Sequence, residues 1–245
     1  MGDPFRGLVP FVHYFSARGF RPQRLQLPLV AVVFANQRDF LRYASRTGAK
    51  LLPGTLGYYS PMTNRILLYD LTAGRGEDER NWQVNAKTII HEAAHQSAFN
   101  TGVHSRYAMP PRWVAEGLGT MFEARGVWDS RNHPSQHDRV NKYRMLAFKR
   151  YTASRRQKGA LPPFVSSDRG FYSDADGAYA EAWALTFFLV ETRPRQYMQY
   201  LQRTASLPNF SVYRSPERLQ DFTEIFGSDF ELLESHYVRF MNELN

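Results

Sequence analysis

The first third of the chain alternates short apolar runs with turn-forming residues. Leu29 to Phe34 is a Val-rich run that predicts a strand, and Gln37 to Arg46 has the composition of a short helix. Leu56 to Ser60 and Arg65 to Asp70 predict a hairpin, because turn-forming residues occupy 61–64 between them. The sequence therefore predicts a small sheet near the N-terminus.

Beyond a predicted charged loop from Arg75 to Arg80, the apolar residues recur mostly with helical spacing. The predicted helices cover about 82–99, a stretch after Pro110-Pro111, about 138–153, Asp176 to Glu191, Pro194 to Ala205 and about 229–243. Residues 154–175 are rich in Pro, Ser, Gly and Asp and predict a long flexible segment at the rim of a cleft.

The predicted helix from Trp82 to Phe99 contains H-E-x-x-H, as His91-Glu92-Ala93-Ala94-His95. At about 3.6 residues per turn, the two imidazoles lie roughly 40° apart around the axis and one turn apart along it, so both can reach one ion. Glu92 projects about 100° away from His91, where it can contact a water on the metal. The apolar residues of this helix share one broad arc, which predicts that the helix is mostly buried. They are Trp82, Ala86, Ile89, Ile90, Ala93, Ala94 and Ala98.

A catalytic zinc ion usually has three protein ligands, and this chain has no cysteine to supply a thiolate. The best third ligand is Glu116, in the predicted helix that follows Pro110-Pro111. Glu123 lies almost two turns further on, on the same face, where its carboxylate could orient a ligating histidine. The alternative for Glu123 is a solvated position on the helix surface.

These motifs resemble the gluzincin branch of zinc metallopeptidases, the relatives of thermolysin and of the zinc aminopeptidases. The matching residues are the H-E-x-x-H of the first helix and Trp113-x-x-Glu116-Gly117 with Glu123 beyond it. The segments from Gly57 to Asp70 and from Tyr179 to Leu185 resemble the peptidase-MA-like domains of uncharacterised bacterial proteins. The resemblance spans roughly residues 28–240 and is strongest at the metal motifs.

The resemblance implies a role for each matching residue. His91, His95 and Glu116 would bind one Zn²⁺ ion, Glu92 would be the general base, and Glu123 would support a histidine. It also implies a hydroxyl that stabilises the tetrahedral oxyanion, and Tyr179 is the first candidate for this role. Tyr179 could equally be a packed helix residue, in which case Tyr172 and Tyr58 are the next candidates.

The fold class predicted from these elements is α+β and, by resemblance, zincin-like. A single metallopeptidase-like domain would consist of a small N-terminal mixed sheet lobe (1–75), the metal-binding helices (76–125) and a mainly helical C-terminal lobe (126–245). The length of 245 residues and the hydrophobic content of 43% are sufficient for one domain with a sizeable core. By resemblance, the hairpin from Gly57 to Asp70 would align the substrate beside the metal helix.

The net charge of +8 is concentrated between residues 139 and 167, where Lys and Arg occur without Asp or Glu. The eight basic residues are Arg139, Lys142, Arg144, Lys149, Arg150, Arg155, Arg156 and Lys158. One interpretation is an anionic surface contact through 139–158. The favoured one is a solvated helix face with Tyr143, Leu146 and Phe148 turned inward, because no nucleic-acid-binding motif accompanies the charge.

Three further features limit the predictions of site and location. A second metal at His133 and His137 is not favoured, because the proline and polar flanks predict a loop or helix start. His13, His104 and His236 are predicted to be surface or packing histidines. The longest apolar runs are too short for a membrane span, and the run from Leu8 to Val12 is too short for a signal peptide. Since the similar bacterial proteins are often exported, we expect export, with the signal peptide absent from this chain.

The sequence thus predicts a zinc-dependent peptidase that acts on peptide or protein substrates. The strand motif Gly-x-Met-Glu-Asn, with which gluzincin aminopeptidases hold the free amino terminus, is absent, which favours an endopeptidase over an aminopeptidase. The alternative from a different class is a catalytically idle metal-bound module that binds an anionic partner through its basic face. The sequence does not indicate an oligomeric state.

Overall fold

Helices dominate the structure and are combined with one three-stranded sheet, which confirms the predicted α+β class. The computed structural model describes residues 9–51, 54–73 and 79–244. Most of the predicted loop from Arg75 to Arg80, and the predicted lobe boundary at residue 75, lie outside the described residues. In chain order the elements are α1 (Val9–Ser16), β1 (Val30–Phe34), α2 (Gln37–Arg46), β2 (Gly57–Ser60), β3 (Arg65–Tyr69), α3 (Glu79–Asn100), α4 (Arg112–Phe122), α5 (Arg125–Trp128), α6 (Gln136–Arg139), α7 (Lys142–Ser154), α8 (Leu161–Ser166), α9 (Gly170–Ser173), α10 (Ala175–Thr192), α11 (Pro194–Ala205), α12 (Ser215–Phe226) and α13 (Phe230–Glu243).

The sheet has the strand order β1-β3-β2, so β3 lies at its centre. β1 runs parallel to β3, and β2 runs antiparallel to it, with Ser60 opposite Arg65. The turn between them closes through the Asn64 amide, which donates to the Ser60 carbonyl at 2.8 Å. Asn64 has a φ of 56°, a left-handed conformation that Asn tolerates better than most residues. The predicted hairpin is therefore confirmed, as is α2.

The two faces of β3 pack against different helices. Because side chains alternate along a strand, Leu67 points toward α2 and packs with Phe40. Ile66 and Leu68 point the other way and pack with Phe99 of α3. The sheet thereby fixes one side of α3, the helix that carries H-E-x-x-H.

Helix α10 forms the centre of the helical part and contacts α4, α7, α9, α11 and α13. Every residue from 180 to 190 is buried in it. Gly117 of α4 permits a close contact with α10, because a Cβ at that position would lie 2.5 Å from the carbonyl oxygen of Ala182. α4 therefore lies directly on α10 along one side and contacts α3 along another.

Several predicted features are wrong. Residues 154–175 contain α8 and α9, and Leu161, Val165 and Phe171 are buried, so this segment is a packed part of the core rather than a flexible rim. The apolar face of α3 was predicted to be mostly buried, but it is buried only toward the C-terminal end of the helix. Trp82 is 61% exposed because it lies in the first turn of α3.

The basic helix also differs from its prediction. Phe148 of α7 is fully buried as expected, but Tyr143 and Leu146 are more than half exposed because they lie on the solvent side of α7. Besides α8 and α9, the helices α1, α5 and α12 were not predicted. α1 packs against the end of α4, where Phe11 stacks on Phe122 with 5.0 Å between ring centroids. None of the described helices combines the length and the apolar character that a membrane span requires.

Candidate metal centre

Helix α3 presents its two motif histidines where it passes α4. The rings of His91 and His95 are 4.7 Å apart between centroids and nearly perpendicular. Their Nε2 atoms are 3.0 Å apart. Glu116 of α4 faces this pair, and its Oε2 lies 3.3 Å from Nε2 of His91 and 3.5 Å from Nε2 of His95. The two histidines and the carboxylate predicted from separate helices therefore meet at one point.

The spacing of these three atoms matches the spacing around a small metal ion. Ligands of a tetrahedral zinc site have bonds of about 2.0–2.1 Å, which places neighbouring ligand atoms about 3.3–3.4 Å apart. The three separations between His91, His95 and Glu116 are 3.0, 3.3 and 3.5 Å. Among the described residues this is the one group of at least three His, Cys, Asp or Glu side chains whose ligand atoms all lie within 4.8 Å of one another. The donor set fits zinc without rearrangement of the backbone.

Glu123 lies behind His91, on the side away from Glu116. Its Oε1 is 2.9 Å from Nδ1 of His91, which leaves Nε2 of the same ring free to bind a metal. The other oxygen of Glu123 accepts a hydrogen bond of 2.8 Å from the Asn141 side chain, which also donates to the Thr120 carbonyl. Glu123 is therefore held in place and is not a solvated residue, since its side chain is only 12% exposed.

The carboxylates dominate the electrostatics of the cluster. Burial alone would lower the pKa of His91, but its hydrogen bonds with Glu116 and Glu123 raise the pKa to about 10. Burial opposes ionisation of Glu116, but the two histidines hold the pKa of this carboxyl well below its usual range. A metal cation at this position would compete with a proton for Nε2 of His91.

A glycine makes room for the ligating imidazole. A Cβ at Gly119 would lie 2.8 Å from Cε1 and 2.9 Å from Nε2 of His91, closer than non-bonded carbon atoms approach. Gly119 follows Glu116 by three residues in α4, and its contact with His91 was not predicted from the sequence. A glycine in the middle of a predicted helix was the available signal, because such a glycine usually has a packing reason.

Glu92 is buried between α3 and the edge strand β2. Its Oε2 accepts a hydrogen bond of 2.7 Å from the backbone amide of Tyr59. Gly57 permits this approach, since a Cβ there would lie 3.1 Å from Cγ of Glu92. Burial raises the pKa of Glu92, and the neighbouring His91 and His95 oppose the rise. The carboxylate thus lies beside the metal-ligand cluster but does not belong to it.

Comparison with known proteins identifies a family without an assigned activity. A family profile described as "Protein of unknown function (DUF1570)" matches residues 85–210, just over half of the chain. The chain belongs to the DUF1570 family. No curated protein and no solved structure matches it.

The segment shared with the DUF1570 family contains the whole cluster and also Tyr179. Arg112 has its Nε 3.5 Å from Oε1 of Glu116, and its positive charge also acts on the Tyr179 hydroxyl. Burial raises the pKa of Tyr179 well above its ordinary value, and the negative charges of Glu116 and Glu92 add to the increase. The Tyr179 hydroxyl is therefore under the electrostatic influence of both carboxylates.

The two other candidates for the hydroxyl that stabilises the oxyanion are Tyr172 and Tyr58. Tyr172 is 74% exposed, and its ring lies 5.4 Å from the guanidinium carbon of Arg112. Tyr58 is partly buried and packs on the α2 side of the sheet, although Glu92 contributes to the raised pKa of its hydroxyl. Tyr179 stays the first candidate, because the charges of both Glu116 and Glu92 act on its hydroxyl.

Two buried histidines within residues 85–210 have ring nitrogens for which the described residues supply no hydrogen-bond partner. They are His95, at Nδ1, and His104, at both nitrogens. His104 packs against Phe99, which confirms the prediction that it is a packing histidine. Its pKa is lowered to about 3, mainly by burial and to a lesser extent by the charge of His95. His13 is exposed and His236 is half-buried.

The second histidine pair and the basic segment take part in ordinary structural contacts. Ser135 caps α6, so the predicted helix start between His133 and His137 is confirmed. Four of the eight basic residues between 139 and 158 form ion pairs with carboxylates of the same chain. The pairs are Arg139–Glu191, Arg155–Asp174, Arg156–Glu181 and Lys158–Glu231. Much of the positive charge is therefore neutralised within the fold.

Proposed function

We propose that this member of the DUF1570 family is a zinc-dependent endopeptidase of the gluzincin type with a zincin-like fold. The observation that carries the proposal is the triangle of ligand atoms from His91, His95 and Glu116, with sides of 3.0–3.5 Å. The carboxylate of Glu92, the residue that follows His91, lies beside that triangle. This combination supports hydrolysis, because metal sites of purely structural zinc have four protein ligands and need no adjacent base.

The ligand set leaves a coordination position for water, as catalytic zinc sites do. A zinc ion bound there would polarise a substrate carbonyl and lower the pKa of a water molecule to about 7. Glu92 has one oxygen fixed by the Tyr59 amide, and its other oxygen accepts the proton of the attacking water and passes it to the leaving amine. Tyr179 donates its hydroxyl proton as a hydrogen bond to the oxyanion that forms on the substrate.

The position of β2 supports a peptide as the substrate. Within the described part of the sheet, β2 is an edge strand with one side unpaired, and its Tyr59 amide contacts the proposed base. An extended peptide that pairs with this edge would bring its backbone next to Glu92. Because the sequence has no aminopeptidase motif for the free amino terminus, we propose cleavage within the peptide chain.

Profiling of a mixed peptide library with and without a zinc chelator tests this proposal. We expect chelator-sensitive cuts at internal bonds, which reappear when zinc is added back. Cuts confined to the first residue would instead identify an aminopeptidase. A complete lack of chelator-sensitive cuts in protein shown to contain zinc would overturn the peptidase proposal and favour a metal-bound module without activity.

The metal itself is tested separately by elemental analysis of purified protein. The wild type should contain about one zinc ion per chain, and His95→Ala should contain almost none, because a two-ligand site binds zinc weakly. His133→Ala is the matched control, since His133 lies outside the cluster and should keep the wild-type content. Equal zinc contents in wild type and His95→Ala would refute the assignment of the site.

A further inference from the structure

Arg112 places a positive charge at the Glu116 side of the metal centre. Its guanidinium carbon lies 4.9 Å from the Phe171 ring centroid, and its Nε is 3.5 Å from Oε1 of Glu116. The backbone at this residue is also fixed, because the Arg112 amide donates to Asp168 at 3.0 Å. The side chain is 26% exposed, so part of the guanidinium faces solvent beside the proposed substrate position.

Arg144 places a second positive charge on the other side of Tyr179. Its guanidinium carbon lies 5.1 Å from the Tyr179 ring centroid and 5.3 Å from that of Tyr143. Its positive charge acts on Glu123, yet among the described residues no carboxylate lies within 4.0 Å of the guanidinium. The two arginines therefore flank one tyrosine at the edge of the metal centre.

One buried nitrogen of the Arg144 guanidinium has no hydrogen-bond acceptor among the described residues. This nitrogen is Nε. A guanidinium has five N–H donors, and buried donors are nearly always paired in native proteins. A half-buried arginine with one unpaired donor beside a proposed active site is therefore suited to bind an anionic group of a ligand.

The charges around the centre favour a monoanion. Glu92, Glu116 and Glu123 contribute three negative charges when ionised, and zinc with Arg112 and Arg144 would contribute four positive charges. The balance of one positive charge suits a carboxylate better than a dianionic phosphate. A carboxylate also matches the planar guanidinium, which can donate two parallel hydrogen bonds to it.

We infer that Arg112 and Arg144, which lie near Tyr179, form a subsite for a carboxylate group of the peptide substrate, close to the bond that is cleaved. This inference rests on the proposed peptidase function. In a peptide the carboxylate is either an Asp or Glu side chain or the C-terminal carboxylate. Arg144 is the specificity-determining residue of the subsite, because Arg112 is already paired with Glu116.

The test compares carboxylate and carboxamide substrates in wild type and Arg144→Gln. A neutral peptide that the library identifies as a substrate is synthesised with Asp or Asn on either side of the cleaved bond, and with a free or amidated C-terminus. We expect wild type to prefer the carboxylate form by about tenfold or more in kcat/KM, as for a hydrogen bond to a charged group. The position that shows the preference identifies the source of the carboxylate.

In Arg144→Gln the preference should disappear while cleavage of the carboxamide forms is retained. Arg144→Lys should keep part of the preference, because it keeps the charge without the planar fork. Arg150→Gln is the matched control, since Arg150 is an exposed basic residue of the same helix. If Arg144 only neutralises Glu123, the substitution will change the zinc content and affect both substrate forms equally, which would overturn the inference.

A binding measurement separates failure of the subsite from failure of the peptidase proposal. The dipeptide N-acetyl-alanyl-alanine and its C-terminal amide are titrated into zinc-loaded wild type and Arg144→Gln by calorimetry. Preferential binding of the free carboxylate that is lost in Arg144→Gln would support the subsite even if no peptide is cleaved. Equal binding of both forms, together with cleavage that ignores substrate charge, would refute it.

Discussion

The substitution Gly119→Ala should specifically disturb the metal-binding position of His91. The added Cβ would lie 2.8 Å from Cε1 of His91, whereas carbon atoms in contact are about 3.5–4.0 Å apart. The imidazole must therefore move by roughly 0.7 Å, and zinc–ligand distances tolerate only about 0.2 Å. Glu123 holds the far side of the ring at 2.9 Å and opposes a simple shift. The helix itself should not suffer, because Ala is favoured over Gly in a helix by about 1 kcal/mol.

We expect the zinc affinity of Gly119→Ala to fall by about 100-fold, which corresponds to about 2.7 kcal/mol. Competition with a calibrated chelator measures the affinity, and circular dichroism checks that the helical content is unchanged. Gly170→Ala is the control, because its Cβ would meet Ala178 at an ordinary distance of 3.6 Å. Zinc affinity equal to that of wild type in a folded Gly119→Ala protein would refute the position assigned to His91.

Three further substitutions test the surroundings of the centre. Glu123→Gln should weaken zinc binding by about 10-fold or more, since it removes the charge that orients His91, and chelator competition would show whether it does. Gly117→Ala should reduce the free energy of unfolding by about 1–3 kcal/mol, because the new Cβ meets the Ala182 carbonyl oxygen and forces α4 away from α10; an unchanged denaturation midpoint would contradict this contact. Arg156→Met should reduce the free energy of unfolding by about 3–5 kcal/mol, because the substitution leaves Glu181 buried without its ion pair. Urea denaturation at pH 7 that shows no loss of stability would contradict the importance of this pair.

The local parts of the fold were predictable from the sequence. The hairpin and α2 were predicted to within about a residue, because turn residues and alternating apolar residues define them locally. The packed helices α8 and α9 were not, since their Pro and Gly residues are typical of loops. The structure shows instead that Pro162 lies in the first turn of α8, where proline is favoured. α1 and α12 were missed because short amphipathic segments give a weak signal.

That His91, His95 and Glu116 meet was also predictable, because their spacing is a property of single helices. His91 and His95 share a face of α3, and Glu123 caps the end of α4, the helix that carries Glu116. The contacts that link the helices were not predictable, since they depend on how α3, α4 and α7 pack. Asn141, which holds Glu123, is the clearest example, because it lies at the start of a different helix.

The most direct test of the central proposal is the rate of peptide cleavage by Glu92→Gln measured at equal zinc content with wild type. The substituted residue keeps its size but cannot accept the proton from water, and His91, His95 and Glu116 remain unchanged. The account predicts full zinc content and a cleavage rate lower by about 10²- to 10⁴-fold. A zinc-loaded Glu92→Gln protein with the full wild-type rate would contradict it.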